Sequence, residues 1–145
     1  MEHGANQETA TCPECGAAMV EGLSCWEQLG YVLSWEYNDP ELAAQHFLTV
    51  ASYNIQHPAQ FTDEAIAGLR AAFIDHLDNG TSVRELRRRA SNTYEGHRRV
   101  LKEEADRKPV LRLWSITIAD VYVPGRPEGA AARVKAWAAG IRSEL

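Results

Sequence analysis

Apolar residues recur every three or four positions over most of this chain, and caps, prolines and glycines divide the stripes into separate helices. Ser24 can cap a helix with Glu27 as its reciprocal partner. Trp26, Leu29, Val32, Leu33 and Tyr37 follow at helical spacing, which predicts a first helix at about Cys25 to Tyr37. Asn38-Asp39-Pro40-Glu41 is a turn and a new start, because Asp39 suits the cap, Pro40 the first helical position and Glu41 the positive end of the dipole. The second helix should run to about His57, where Pro58 disfavours a helical conformation in the residue before it. Its inward stripe reads Ala43, His46, Phe47, Val50, Tyr53 and His57. Thr62, Asp63 and Glu64 open a third helix carrying Ile66, Leu69, Phe73 and Leu77, which Asn79-Gly80 closes.

Beyond Gly80 the pattern weakens. Ser82 can start a fourth, basic helix through Arg84, Leu86, Arg87, Arg88 and Arg89, with a break at Ser91-Asn92-Thr93 before another helical stretch ending near Pro109. Trp114 to Ile118 alternates as an extended segment would. One strand makes no sheet, so it is expected to lie as a strap across the bundle. Pro124-Gly125-Arg126-Pro127 is a loop, and Glu128 onward reads as a closing helix with Val134, Trp137, Ala138 and Ile141 on one face. The fold class expected is mainly α, a bundle of four to five helices with one short extended segment. Residues 1–11 are expected to be a disordered tail and 12–145 a single helical domain.

Composition narrows the setting. At 145 residues one ordinary core suffices, since a body of this length buries roughly 70% of its unfolded surface. Residues 1–11 lack the basic start and apolar run of a secretory signal, and no stretch has the roughly 18 to 20 apolar residues of a membrane span. With three cysteines and no signal, the reading is cytoplasmic. Net charge is −5 and unevenly spread: residues 1–80 hold 12 acids against one arginine, a net of −11, and residues 81–145 carry +6. Two mutually attracting or solvated faces explain this better than a nucleic-acid footprint would.

The chemistry is concentrated near the N-terminus. Cys12-Pro13-Glu14-Cys15-Gly16 has the form of a zinc knuckle, in which a tight turn brings two thiolates together and glycine takes a backbone conformation other residues avoid. Zinc needs four ligands, and Cys25 is a third. With no further cysteine, the fourth must be one of His3, His46, His57, His76 and His97. If the first two helices pack as antiparallel neighbours, Cys25 lies near the end of the second, where His57 faces inward, while His46 sits about two turns away. The metal site expected is therefore Cys12, Cys15, Cys25 and His57, closed and structural, holding the N-terminal segment on the ends of the first two helices. The competing reading is a redox thiol pair with Cys25 as a buried apolar residue, but nothing offers the strand that normally precedes a redox CxxC.

Glu36, His46, Tyr53 and Gln56 form a second polar set, either a pocket for acid–base work or hydrogen-bond partners for helix packing. No nucleophile motif, phosphate loop or paired carboxylate supports catalysis, so no catalytic residue is assigned. The segment from Arg84 to Arg99 has the outline of a helix-turn-helix, but its break lacks glycine, and Glu95, Glu103 and Glu104 would oppose phosphates. The function expected is a zinc-stabilised module that binds a protein or small-molecule partner, with no membrane; the alternatives are an enzyme with a pocket around Glu36, His46 and Tyr53 and a helix-turn-helix DNA-binding regulator using Arg84 to Arg99.

The order Cys12-Pro13-Glu14-Cys15-Gly16, Cys25-Trp26, His46, Tyr53, Gln56-His57-Pro58 resembles an uncharacterised family of small bacterial proteins classed only as a domain of unknown function. The resemblance is strong over about the first 60 residues and looser through Thr117 to Val121 and the Val134 to Trp137 helix. It implies a helical architecture with a metal-binding character and no established activity. Both His46 and His57 belong to the pattern, so it leaves the choice between them open.

Overall fold

Ser24 starts the first helix by local chemistry: its Oγ accepts the Glu27 amide at 3.3 Å while Glu27 Oε1 accepts the Ser24 amide at 3.1 Å. The computed structural model describes residues 10–93 and 99–145. In it α1 spans Cys25–Trp35 and passes into a 3₁₀ turn at Glu36–Asn38. Of the residues at helical spacing, Trp26 and Tyr37 lie outside the core, 68% and 91% exposed. Trp26 keeps one edge against Tyr53, with ring centroids 6.0 Å apart.

Asp39 Oδ1 accepts the Leu42 amide at 3.0 Å and Pro40 opens the next helix. That helix is not continuous to His57. It forms α2, Pro40–Ala44, and α3, His46–Gln56, separated at Gln45, whose φ of −95° and ψ of 11° leave the helical region. The break resets the helical phase. Ala43 and His46 are exposed, and the face that packs inward carries Leu42, Leu48, Thr49, Ser52 and Ile55 together with Tyr53.

Thr62 Oγ1 accepts the Ala65 amide to begin α4, Asp63–Asn79, which Gly80 closes at φ 69°. In α5, Val83–Thr93, the Ser82 hydroxyl accepts the Glu85 amide. The expected helical stretch ending near Pro109 falls partly at residues 94–98, outside the described residues, and from Arg99 onward it is overturned. There the chain is extended, because the Thr62 amide donates to Val100 O at 2.9 Å and the Lys102 amide to Gln60 O at 2.8 Å. Only a 3₁₀ turn at Glu104–Asp106 interrupts it. The extended strap stops earlier than alternation suggests, at Ile116. Thr117 and Asp120 then form a capping box that starts α6, Ile118–Val121. Gly129, at φ 80°, precedes α7, Ala130–Glu144, two residues later than Glu128.

The chain is mainly helical, and the described residues contain isolated bridges but no sheet. Helix α3 packs against both α4 and α7, while α6 lies between α1 and α7. Val134, Trp137, Ala138 and Ile141 are buried as the closing helix's spacing predicts. Among them Trp137 Nε1 donates to Gln56 Oε1 at 3.0 Å, and Gln56 Nε2 donates to Ile116 O at 2.7 Å. The strap is thereby fastened to α3 and α7 at one buried amide. No helix among the described residues is long and apolar enough to cross a membrane.

Candidate metal centre

The segment before α1 folds as a tight double turn. The Cys12 amide donates to Ala17 O at 2.8 Å, the Gly16 amide to Cys12 O at 3.0 Å, and the Cys15 amide approaches Cys12 Sγ at 3.5 Å. Gly16 takes φ 77°, a conformation that costs a side chain roughly 1–2 kcal/mol. These bonds aim Sγ of Cys12 and Cys15 in one direction, toward the first residue of α1, Cys25, and the residue that ends α3, His57. One ligand atom from each of Cys12, Cys15, Cys25 and His57 lies within 4.8 Å of the other three, an arrangement that can hold a metal ion. Sγ of Cys15 and Cys25 are 3.6 Å apart, and no disulfide links any of the cysteines. Cys15, Cys25 and His57 are buried and Cys12 half-buried.

His57 is oriented by its own helix. Its Nδ1 lies 2.7 Å from the Tyr53 carbonyl oxygen, so Nδ1–H donates and Nε2 is the unprotonated nitrogen of the neutral ring. That Nε2 is buried and has no hydrogen-bond partner of normal geometry. The Tyr53 ring stacks on the imidazole with centroids 4.0 Å apart and planes at 21°.

The electrostatics follow from three sulfurs in one buried space. The hydrogen bond from Cys25 holds the Cys15 thiol down, to about 4 despite burial, with further help from His57. The same hydrogen bond, with burial, pushes the Cys25 thiol up. For His57, burial favours the neutral ring, but the Cys15 sulfur and the Tyr53 carbonyl outweigh it and raise its pKa. Burial and the neighbouring sulfurs also raise the Tyr53 hydroxyl. Three sulfurs crowded into one buried space thus share protons unequally, Cys15 giving up its proton readily and Cys25 reluctantly.

Two contacts tie this knuckle to the body. Glu14 Oε2 accepts the Ala59 amide at 3.0 Å, and Glu14 O accepts the Arg112 amide at 2.8 Å. Sequence reasoning missed Glu14 and the Tyr53 carbonyl. The second had a legible signal, since Tyr53 and His57 are four apart at a helix end; the first did not, because residues 14 and 59 meet only through the fold.

The other predicted residues are dispersed. Glu36, His46, Tyr53 and Gln56 do not share a pocket: His46 Nδ1 pairs with Glu36 Oε1 at 2.9 Å at the far end of α1, Tyr53 sits beside the cysteines, and Gln56 is in the core. The groove beside Glu36 and His46 is open, and His46 is 52% exposed. His76 donates to or accepts from neither cluster; its Nδ1 bonds Thr81 O at 2.7 Å. His3 and His97 lie outside the described residues. In the basic stretch, Arg88 and Arg89 are engaged by Glu85 and Asp75, Arg99 pairs with Glu103, and the chain after Arg99 is extended, so the described residues supply no second helix for a helix-turn-helix.

Residues 10–145 match the model of a family of unknown function (DUF5946). No curated protein and no solved structure matches the chain.

Proposed function

The chain belongs to this family of unknown function, and we propose that its Cys12, Cys15, Cys25 and His57 cluster holds one zinc ion as a closed structural site. The observation that carries the reading is the His57 ring: Nδ1–H is spent on a backbone carbonyl, and the buried Nε2, without a partner, is presented to three sulfurs. A carbonyl acceptor on the second nitrogen is the usual support of a metal-bound histidine. Three thiolates and one imidazole are a donor set that suits zinc. Sulfurs around a tetrahedral zinc with ~2.3 Å bonds lie about 3.8 Å apart, close to the 3.6 Å between Cys15 and Cys25.

When bound, the zinc would neutralise the thiolates. Cys12 and Cys15 would bring the knuckle, Cys25 the start of α1 and His57 the end of α3, so the site would clip the N-terminal segment onto the ends of two core helices. Four protein ligands leave no position for a catalytic water. The function that fits is a zinc-stabilised cytoplasmic module for binding a protein or small-molecule partner, in a compartment that keeps the thiols reduced.

Native mass spectrometry of protein purified without chelators tests this. One zinc per chain, lost or weakened in Cys25→Ser and His57→Ala but retained in His46→Ala, is the expected result. No bound metal in the wild type, or metal retained by His57→Ala and lost from His46→Ala, would overturn it.

A further inference from the structure

We propose that a cleft between α4 and the extended strap binds the oxyanion of a small organic ligand, a carboxylate or phosphate group, through Arg70, Lys102 and Lys108. The cleft encloses about 380 Å³, within the range of small-molecule sites. It is separate from the metal cluster, whose ligands do not line it.

The guanidinium of Arg70 carries the argument. Arg70 projects from α4, its Nε is buried, and that nitrogen has no hydrogen-bond acceptor. Among the described residues no carboxylate pairs with it. Arg70 as a whole is half-buried, so its guanidinium forms part of the cleft wall while its Nε–H lacks an acceptor, and an anion entering the cleft supplies the negative charge that the neighbouring residues do not. Arginine also presents a planar fork of donors that matches a carboxylate or phosphate in two parallel bonds.

Two lysines converge on the same space from a different part of the chain. Lys108 has no ion pair among the described residues, and the only carboxylate near Lys102 Nζ is that of the fully exposed Asp63, 3.9 Å away. Glu14, the other acid lining the cleft, already accepts the Ala59 amide with one oxygen. Three cations thus face two carboxylates, one of them solvated and one partly spent. Phe61 lines the same cleft and offers an apolar surface for the ligand's carbon skeleton. The ligand class is therefore a small organic acid or phosphoester whose anionic end meets Arg70.

The test titrates full-length protein with inorganic phosphate and, separately, with acetate, each against sodium chloride at matched ionic strength, and follows the Arg70 Nε–H resonance. A saturable shift with either anion is expected; phosphate alone points to a phosphoester and acetate to a carboxylate. Lys108→Gln, at an exposed position that leaves folding intact, weakens saturation by about five- to tenfold, as the loss of one charge-assisted contact would. Arg70→Gln removes saturation, and Lys135→Gln, on the exposed side of α7, leaves it unchanged. A response no larger than chloride produces, or one that Arg70→Gln and Lys108→Gln both leave intact, overturns the proposal.

Discussion

Nδ1 of His57 lies 2.7 Å from the carbonyl oxygen of Tyr53, one turn earlier on the same helix. This bond selects the tautomer, turns Nε2 toward Cys12, Cys15 and Cys25, and stacks the imidazole under the Tyr53 ring. The orientation of the histidine in the cluster is therefore fixed by the end of its own helix.

If the fourth ligand is the His57 nitrogen, a thiolate in its place should serve. His57→Cys is expected to bind one zinc and His57→Ala to lose it. A ligand present at 1,000 times its Kd adds about 4 kcal/mol to the folded state. At roughly 2–4 °C per kcal/mol for a chain of about this size, the melting temperature of His57→Ala falls by about 8–16 °C relative to His57→Cys. Equal melting temperatures with full zinc in only one variant would contradict a structural role.

Metal affinity should rise with pH. The ligands are thiolates and a neutral ring, so protons compete with the ion. Cys15, held down to about 4, offers little competition above that pH, whereas the Cys25 thiol is pushed up and holds a proton that binding must expel. Calorimetry in buffers of different ionisation enthalpy should record net proton release on zinc binding at neutral pH, and acidification from neutrality should release the metal. Proton uptake on binding would be inconsistent with thiolate ligation.

Gly16→Ala should weaken the site without abolishing the fold. The residue sits at φ 77°, and a Cβ there would come 2.5 Å from Leu113 Cδ2, the end of an exposed side chain that can move aside. The backbone term then dominates, at roughly 1–2 kcal/mol. Chelator competition should show zinc affinity lowered by about tenfold, and unchanged affinity would mean that the turn is not strained by a side chain.

Trp137→Phe keeps an aromatic ring in the core but removes the donor to Gln56 Oε1 and part of the indole volume, leaving a buried acceptor unmatched beside a small cavity. Urea denaturation should register a loss of about 1–3 kcal/mol with zinc content unchanged. A neutral result would mean that Gln56 finds another donor.

The clasp between α7 and the end of α4 should show in the acid limb of stability. Arg142 holds the Asp78 carboxyl below its ordinary range, at an exposed position. A lowered carboxyl pKa contributes stability that is present above the unfolded value, near 4, and is lost as pH falls through the folded one. Asp78→Asn should therefore melt slightly below wild type at neutral pH and level with it in acid; a gap that widens on acidification would contradict the pairing.

Much of this protein was legible without a structure because it depends on interactions within four residues. Ser24 with Glu27, Asp39 before Pro40, and Thr62 at one end of α4 with Gly80 at the other mark helix ends by side chains bonding nearby amides or by one backbone conformation. The CxxC turn is equally local, since Cys12 and Cys15 are joined by the hydrogen bonds of their own loop.

What only the tertiary structure decided involves residues far apart in the chain. Periodicity gives a stripe but not its phase across a break, so Gln45 turned His46 outward to Glu36 and parted both from Tyr53 and Gln56. Residues 99–116 gave no reliable local signal, because their amides are satisfied by Gln60, Glu14 and other distant partners in place of the next helical turn. The convergence of Arg70, Lys102 and Lys108 on one cleft has the same origin. A cap is decided by the residues that form it, whereas a site assembled from separate segments exists only once the core has fixed where those segments lie.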